Sequence, residues 1–286
     1  MRRLIAGVIM MLGASTREMV AQPRMLNVGD ATLRYDVAGT GKAIVFIHGW
    51  AQDLGIWDDQ VRAFAPRYRV VRFDRRGYGQ STGFADPSAD PADVRALLDS
   101  LGIRSAHMVG LSAGATTALR FAQAFPDRID ALVLYGMPNP EGFPVPPPGP
   151  SPLTIFAGII REHGLDSLRK TVAASPLAWV PPGKLEARER VAGSMANYSG
   201  RDLLDPRPPS GRVPAIRWDR LDTVRIPTLI VNGDHELPYF LLVADSLSHR
   251  IPNARRVVIK DGGHGAHFAQ PEQFNKALAD FFASIP

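Results

Sequence analysis

Gly110-Leu111-Ser112-Ala113-Gly114 sets a serine between two glycines. It directly follows the apolar run His107-Met108-Val109 and precedes a helical pattern from Ala115 to Phe125. On such a strand-to-helix bend the hydroxyl is exposed at the top of a sheet. Glycines two positions to either side remove Cβ atoms that would clash in so sharp a turn. A serine hydroxyl becomes a nucleophile only when a base takes its proton. The base suited to neutral pH is a histidine held in the right tautomer by a carboxylate. Two later loops offer these groups. The loop 232–238, beyond the strand pattern Thr228 to Val231, carries Asp234 and Glu236, and the loop 261–265, beyond Val257 to Lys260, carries His264. Charge that develops on an attacked carbonyl oxygen needs donors as well. The backbone N–H of Ala113, next to the serine and at the start of a helix, is one.

The elements that must position these groups alternate between strand and helix. Thr32 to Val37 alternates as a half-buried strand, whereas Ala43 to Ile47 is a continuous apolar run ending in His48-Gly49-Trp50. Val70 to Phe73, the serine strand and Ile129 to Leu134 follow, with a helix over 90–101 that Pro91 starts and Gly102 stops. This order predicts a mostly parallel central sheet with helices on both faces. Composition changes at Pro138: residues 138–152 hold eight prolines, which exclude regular helix or sheet interior and read as a stiff connector. Residues 153–205 look helical, with breaks at Pro176 and Pro181-Pro182-Gly183. A second cluster, Pro206, Pro208 and Pro209, follows. Strands resume at Thr228 and at Arg256. An amphipathic helix, Pro271 to Ile285, turns Phe274, Leu278, Phe281 and Phe282 inward. The division is a core of 25–138 and 222–286 and a cap of 139–221 that covers the serine. Phe143, Leu153, Ile155, Phe156, Ile159, Ile160 and Trp179 give the cap an apolar lining suited to a hydrophobic acyl or ring group.

The 286 residues are 45% apolar, enough for a sizeable core, and contain no cysteine, which excludes disulfides and thiolate metal sites. The net charge of +5 is spread out, with no basic run longer than Arg75-Arg76 or Arg255-Arg256, so no nucleic-acid partner is expected. Met1-Arg2-Arg3, the apolar run Leu4 to Ala14 and polar Ser15-Thr16-Arg17-Glu18 have the three-part order of a signal peptide. The run is shorter than the ~20 residues of a membrane span. Residues 1–24 therefore read as a leader ending at Ala14, Ser15 or Ala21, which places the protein in the periplasm or outside the cell. A start at Met25 is the alternative and leaves it cytoplasmic.

Five signatures in order carry a family resemblance. They are His48-Gly49-Trp50, Asp74-Arg75-Arg76-Gly77-Tyr78-Gly79-Gln80-Ser81, the serine pentapeptide, Gly233-Asp234-His235-Glu236, and Gly263-His264 with Gln270-Pro271-Glu272-Gln273-Phe274 behind it. From about Met25 to Pro286 the chain resembles the α/β-hydrolase superfamily, and most of all its enol-lactonase, carboxylesterase and cofactor-free haloperoxidase-type members. The resemblance implies the α/β-hydrolase fold and a serine hydrolase that cleaves a small ester or lactone through an acyl-enzyme, with no cofactor and no metal. It implies Glu236 as the acid that serves His264, because relatives carry the triad acid at the second acidic position of this loop; Asp234 is the alternative. It implies the Trp50 N–H as the second oxyanion donor, with the indole lining the pocket. Perhydrolysis or C–C bond hydrolysis on the same three residues is the alternative chemistry, and a small-molecule receptor is the non-catalytic one.

The remaining polar residues read as structural. His48 braces the oxyanion loop, His107 opens a buried strand and His267 borders the pocket. His235 beside Asp234 lacks a ligand cluster. Asp74 fixes its own loop by hydrogen bonds. Arg75 and Arg76 form buried bridges, with a substrate carboxylate as the alternative partner. Ser81 has no base beside it.

Overall fold

The computed structural model describes residues 24–174, 179–181 and 183–285. The leader expected over 1–24 lies, but for its last residue, outside the described residues, as does the break at Pro176. Eight strands form one sheet: β1 (Arg24–Asn27), β2 (Thr32–Ala38), β3 (Ala43–Ile47), β4 (Arg69–Phe73), β5 (Ala106–Leu111), β6 (Ile129–Tyr135), β7 (Thr228–Gly233) and β8 (Ala254–Ile259). Their spatial order is β1-β2-β4-β3-β5-β6-β7-β8. Only the pairs β1–β2 and β2–β4 are antiparallel, so the sheet is mostly parallel, as the alternation of elements predicts.

β3 explains why a central strand is apolar throughout. Ala43, Val45 and Ile47 enter one core and Ile44 and Phe46 the other, because successive side chains point to opposite faces. The first core is closed by α2 (Asp90–Ser100), α3 (Ala113–Ala124) and α7 (Pro238–Arg250), the second by α1 (Asp58–Phe64), α8 (Ala266–Ala269) and α9 (Pro271–Ala283). α9 turns Phe274, Leu278, Phe281 and Phe282 inward as its spacing requires. α1 and α7 are absent from the sequence reading. α1 has only two turns. α7 carries a legible signal, Pro238 at its first position and Val243, Ala244 and Leu247 on its buried face.

Between β6 and β7 lies the insertion. Residues 138–151 form neither helix nor strand, apart from a single bridge between Glu141 and Arg217. Pro152 is the first residue of α4 (Pro152–Ala174) rather than the last of the connector, a position where a missing N–H costs nothing. α4 is two helices meeting at Gly164, whose φ of 79° interrupts it where the sequence reading has a continuous helix. α5 (Leu185–Ser194) and α6 (Arg201–Leu204) follow. Phe156 and Ile160, one turn apart on α4, pack with Met195, Tyr198 and Leu203 of the insertion and with Ala51 and Tyr78 of the core. Leu153 and Ile155 face solvent, and Phe143 packs edge-on against Trp218 and Tyr239. These three therefore correct the expected apolar lining: Leu153 and Ile155 lie off the one stripe that α4 turns inward, and Phe143 belongs to the connector.

His107 ties α9 to the sheet, its ring stacked 4.5 Å from that of Phe282. Burial, with the charge of Lys42 adding to it, pushes this imidazole down from 6.5 to about 4. The unfolded chain takes up a proton near 6.5 and the native one only near 4. The stability His107 contributes above pH 6.5 is therefore lost as pH falls towards 4. His107→Phe keeps the stacking and removes the titration. Its melting temperature should fall less steeply than that of the wild type between pH 6.5 and 4, and parallel curves would show that His107 does not stay neutral in the native state.

Candidate active site

The register of the sheet brings five strand ends level. Ile47 pairs with Gly110, Leu111 with Tyr135, Tyr135 with Val231 and Gly233 with Ile259. The loops that leave β3, β5, β6, β7 and β8 thus share one edge, where ligands bind in open α/β sheets.

Ser112 follows β5 at φ 53° and ψ −117°, in the left-handed half of backbone space, where few non-glycine residues sit. Its N–H donates to the Tyr135 carbonyl at 2.8 Å, and its carbonyl accepts from Ala115 and Thr116 at 2.9 and 3.1 Å. The turn closes only because Gly114 lies on β3: a Cβ there would stand 2.3 Å from the Ile47 carbonyl oxygen. Ala113 is the first residue of the 12-residue helix α3, so its N–H is among those left free by the helix and carries part of its positive end.

His264 lies in the loop after β8. Its Nδ1 is 2.8 Å from Glu236 Oε2, and the two side chains are 8% and 1% exposed, so water does not screen the pair. The other Glu236 oxygen accepts the N–H of Leu237 at 3.0 Å. Asp234 is elsewhere: it is exposed and accepts the Gly262 N–H at 3.1 Å, which joins the loops after β7 and β8. Both acids were open in sequence, and it is Glu236 that the structure brings to the histidine.

The imidazole is framed on several sides. The Trp179 ring stands edge-on at 4.8 Å and Phe240 at 5.1 Å. Gly136, at φ 54°, passes so close that a Cβ would lie 2.7 Å from His264 Cε1. Beneath the loop the Tyr135 hydroxyl donates to the His264 carbonyl at 2.5 Å. Burial, with the Glu236 charge adding to it, raises that hydroxyl well above its ordinary range, so it stays a donor. The Gly265 N–H donates to the Trp179 carbonyl at 2.6 Å and so ties the loop to the insertion.

On the other side of Ser112 the loop after β3 runs through His48, Gly49, Trp50 and Ala51. The Gly49 N–H donates to Gln52 Oε1 at 3.1 Å, and Ala51 has a φ of 60°. His48 Nδ1 lies 2.7 Å from the Gly49 carbonyl, and Nε2 accepts the Arg75 N–H at 2.8 Å. Burial, with the charge of Arg75 adding to it, pushes His48 down to about 3. The neutral ring with the proton on Nδ1 satisfies both bonds, and the residue joins the loops after β3 and β4. Trp50 does not simply line a pocket wall. Its indole Nε1–H donates to Asp202 on α6 at 2.8 Å, and its ring stacks on Phe156 at 5.2 Å. Asp202 and Tyr198 have no place in the sequence reading, and Tyr78 enters it only as a member of the 74–81 signature. Only the four-residue spacing of Tyr198 and Asp202 is visible in the chain, while Asp202 and Trp50 are 152 residues apart.

Arg75 and Arg76 are both buried and committed to acids on α2. Arg75 binds Asp90 at 2.5 and 2.9 Å, and Arg76 binds Asp93 at 2.6 and 2.8 Å. Asp90 also accepts from the Thr117 hydroxyl of α3 at 3.1 Å. Asp74 accepts the N–H groups of Leu54 and Gln80, both at 2.8 Å, and Ser81 Oγ donates to the Asp74 carbonyl at 2.7 Å. His267 is fully buried among Trp57, Tyr135, Phe268 and Phe274; burial, with Arg190 and His264 adding to it, holds it well below the imidazole range. His235 and Asp234 gain Asp261 as a neighbour, with ligand-capable atoms within 4.8 Å of one another. All three are exposed, one donor short of a closed tetrahedral site.

The arrangement has known counterparts. The family model described as the alpha/beta hydrolase fold matches residues 42–271. The chain is 30% identical to a 2-hydroxy-6-oxononadienedioate/2-hydroxy-6-oxononatrienedioate hydrolase of Paraburkholderia phymatum, over 93% of this chain and 97% of that protein. It is 27% identical to a 2-hydroxy-6-oxo-6-phenylhexa-2,4-dienoate hydrolase of Comamonas testosteroni, over 89% and 92%. The crystal structure of the enol-lactonase from Burkholderia xenovorans LB400 superposes with a TM-score of 0.77, covering 91% of this chain and 100% of that one, at 23% identity. With a parallel sheet whose strand ends carry the serine, the histidine and the acid, and a family model spanning most of its length, the chain belongs to the α/β-hydrolase fold family and is a hydrolase.

Proposed function

We propose that the protein is a serine hydrolase that opens a carboxylic ester or lactone through an acyl-enzyme. The observation that carries this reading is the buried 2.8 Å pair of His264 Nδ1 and Glu236 Oε2, at the sheet edge where Ser112 stands on its strained turn. Glu236 fixes the tautomer that leaves Nε2 free to act as a base and stabilises the imidazolium that forms. Ser112 Oγ attacks the carbonyl carbon as His264 takes its proton, and the N–H groups of Ala113 and Trp50 hold the oxyanion. His264 then returns the proton to the leaving alkoxide. In the second half it takes a proton from water, whose oxygen attacks the acyl carbon, and hands that proton to Ser112 Oγ as the bond from Oγ to the acyl carbon breaks and the acid leaves. The insertion acts as a cap, and the aromatic rings of Trp179 and Phe240 beside His264 favour an apolar acyl or ring group.

C–C bond hydrolysis is the second reading. It is favoured by two relatives named as hydrolases of 2-hydroxy-6-oxo dienoates. Such substrates carry a carboxylate on the dienoate fragment that leaves the acyl group, and call for a cation beside that fragment. Here Arg75, the buried guanidinium behind the loop after β4, is already bound to Asp90. With Nε and Nη2 on Asp90 and Nη1 buried, Arg75 offers a substrate carboxylate no exposed cation, which supports an uncharged ester or lactone over an anionic dienoate.

Two measurements check these assignments. A fluorophosphonate probe should label Ser112 in the wild type and leave Ser112→Ala unlabelled. Across a panel of esters and lactones of graded acyl length, run beside a dienoate, the esters or lactones should be turned over fastest; a folded wild type that takes no label would end the serine-nucleophile reading. The choice of acid is tested by replacing each in turn. Glu236→Gln should lose on the order of 10²- to 10⁴-fold in kcat, while Asp234→Asn should stay within about threefold of the wild type. The reverse ranking would make Asp234 the partner of His264.

A further inference from the structure

Asp202, on the short helix α6, stands where the insertion meets the loop after β3. Its Oδ2 accepts the indole Nε1–H of Trp50 at 2.8 Å and the Tyr78 hydroxyl at 3.1 Å, and its Oδ1 accepts the Tyr198 hydroxyl at 2.6 Å. The three donors come from three segments: the loop after β3, the loop after β4, and the insertion itself. The Trp50 ring is fixed further by Phe156, stacked at 5.2 Å and 11°, and by Tyr198, edge-on at 5.1 Å. Hydrogen bonds to a carboxylate are shorter and stronger than those between neutral groups, and three converging on one half-buried carboxylate make a firm joint.

We propose that Asp202 is a positioning residue: by holding the Trp50 indole it sets the aim of the Trp50 backbone N–H, and so links the seating of the insertion to stabilisation of the oxyanion. The inference rests on the serine-hydrolase reading. Indole and backbone N–H share one Cα, and a ring held at once by Asp202, Phe156 and Tyr198 has little rotamer freedom, so holding it restrains the backbone that carries the amide. The next residue, Ala51, is held at a φ of 60°, a conformation that a non-glycine residue leaves when its neighbours release it. An oxyanion donor works within a narrow range of distance from the developing charge, and a misplacement of about 1 Å can cost on the order of 10²-fold in rate. Asp202 touches no reacting atom, and its effect on catalysis passes through Trp50.

The experiment is a double-mutant cycle on hydrolysis of p-nitrophenyl butyrate by unlabelled enzyme, once a separate sample has shown that the fluorophosphonate labels Ser112. Asp202→Asn should lower kcat by about 10- to 100-fold with KM within about threefold. Trp50→Phe, which removes the indole donor and keeps the backbone N–H, should do the same with the insertion still seated on both tyrosines. The double variant should be no slower than the slower single, because both changes remove one bond. Tyr78→Phe takes a different hydrogen bond from the same carboxylate and should keep kcat within about threefold; a merely structural role for Asp202 would move Tyr78→Phe as well. A wild-type kcat in Asp202→Asn, or losses that multiply in the double variant, would overturn the inference. If Asp202→Asn does not fold, an unchanged kcat in Trp50→Phe overturns it alone. An unlabelled Ser112 in the wild type would remove the serine-hydrolase reading and this inference with it.

Discussion

A serine held at a φ of 53° is the constraint on which the rest of the site depends. Left-handed backbone at a residue with a side chain costs on the order of 1–3 kcal/mol and persists only where the surroundings enforce it. Here the enforcement comes from both sides of the turn. The ladder between β5 and β6 continues into it through the Ser112 N–H and the Tyr135 carbonyl, and the first turn of α3 pulls on the Ser112 carbonyl. Gly114 then lets the helix sit directly on the end of β3. The strained turn is therefore built from the three strands whose loops surround it, and it moves only if they do.

Those loops are stiffened from below by charge and hydrogen bonding rather than by apolar packing alone. His48 bridges the loops after β3 and β4 in its neutral form, and Arg75 leads from there to Asp90, which also takes the Thr117 hydroxyl of α3. A buried ion pair is costly to break, about 3–5 kcal/mol when one partner is removed. The chain from His48 to Thr117 thus joins the Trp50 side of the turn to the helix that begins at Ala113. On the far side Tyr135 plays a similar part for His264, its protonated hydroxyl fixed under the histidine loop.

Much of this was legible in the chain. β3 was bounded to the residue because a buried parallel strand is an unbroken apolar run, and the start and inward face of α9, which ends at Ala283 rather than Ile285, because Phe274, Leu278 and Phe281 recur at helical spacing. The serine, the histidine and the two acids were legible because strand, turn and glycine signals are local. What was not legible depends on distance. The choice between Asp234 and Glu236 turns on which carboxylate faces His264, a matter of loop path that residue types do not encode. The partnership of Asp202 with Trp50 joins a residue inside the insertion to one in the core, 152 positions earlier. The bend at Gly164 was hidden for another reason: glycine is tolerated inside helices as well as at their breaks, and only its φ of 79° distinguishes the two.

The backbone bond from Gly265 to the Trp179 carbonyl has a bearing on how this protein can diversify. Insertions over a conserved sheet invite the view that they are interchangeable modules, exchanged between relatives to alter which substrates enter. Here the segment is fastened to both shoulders of the site, at Trp179 beside the histidine loop and at Asp202 beside Trp50. A graft taken from a homologue would have to reproduce a carbonyl at the first point and an acceptor at the second before its own shape mattered. Point substitutions within the segment leave both fastenings in place, whereas wholesale replacement has to rebuild them.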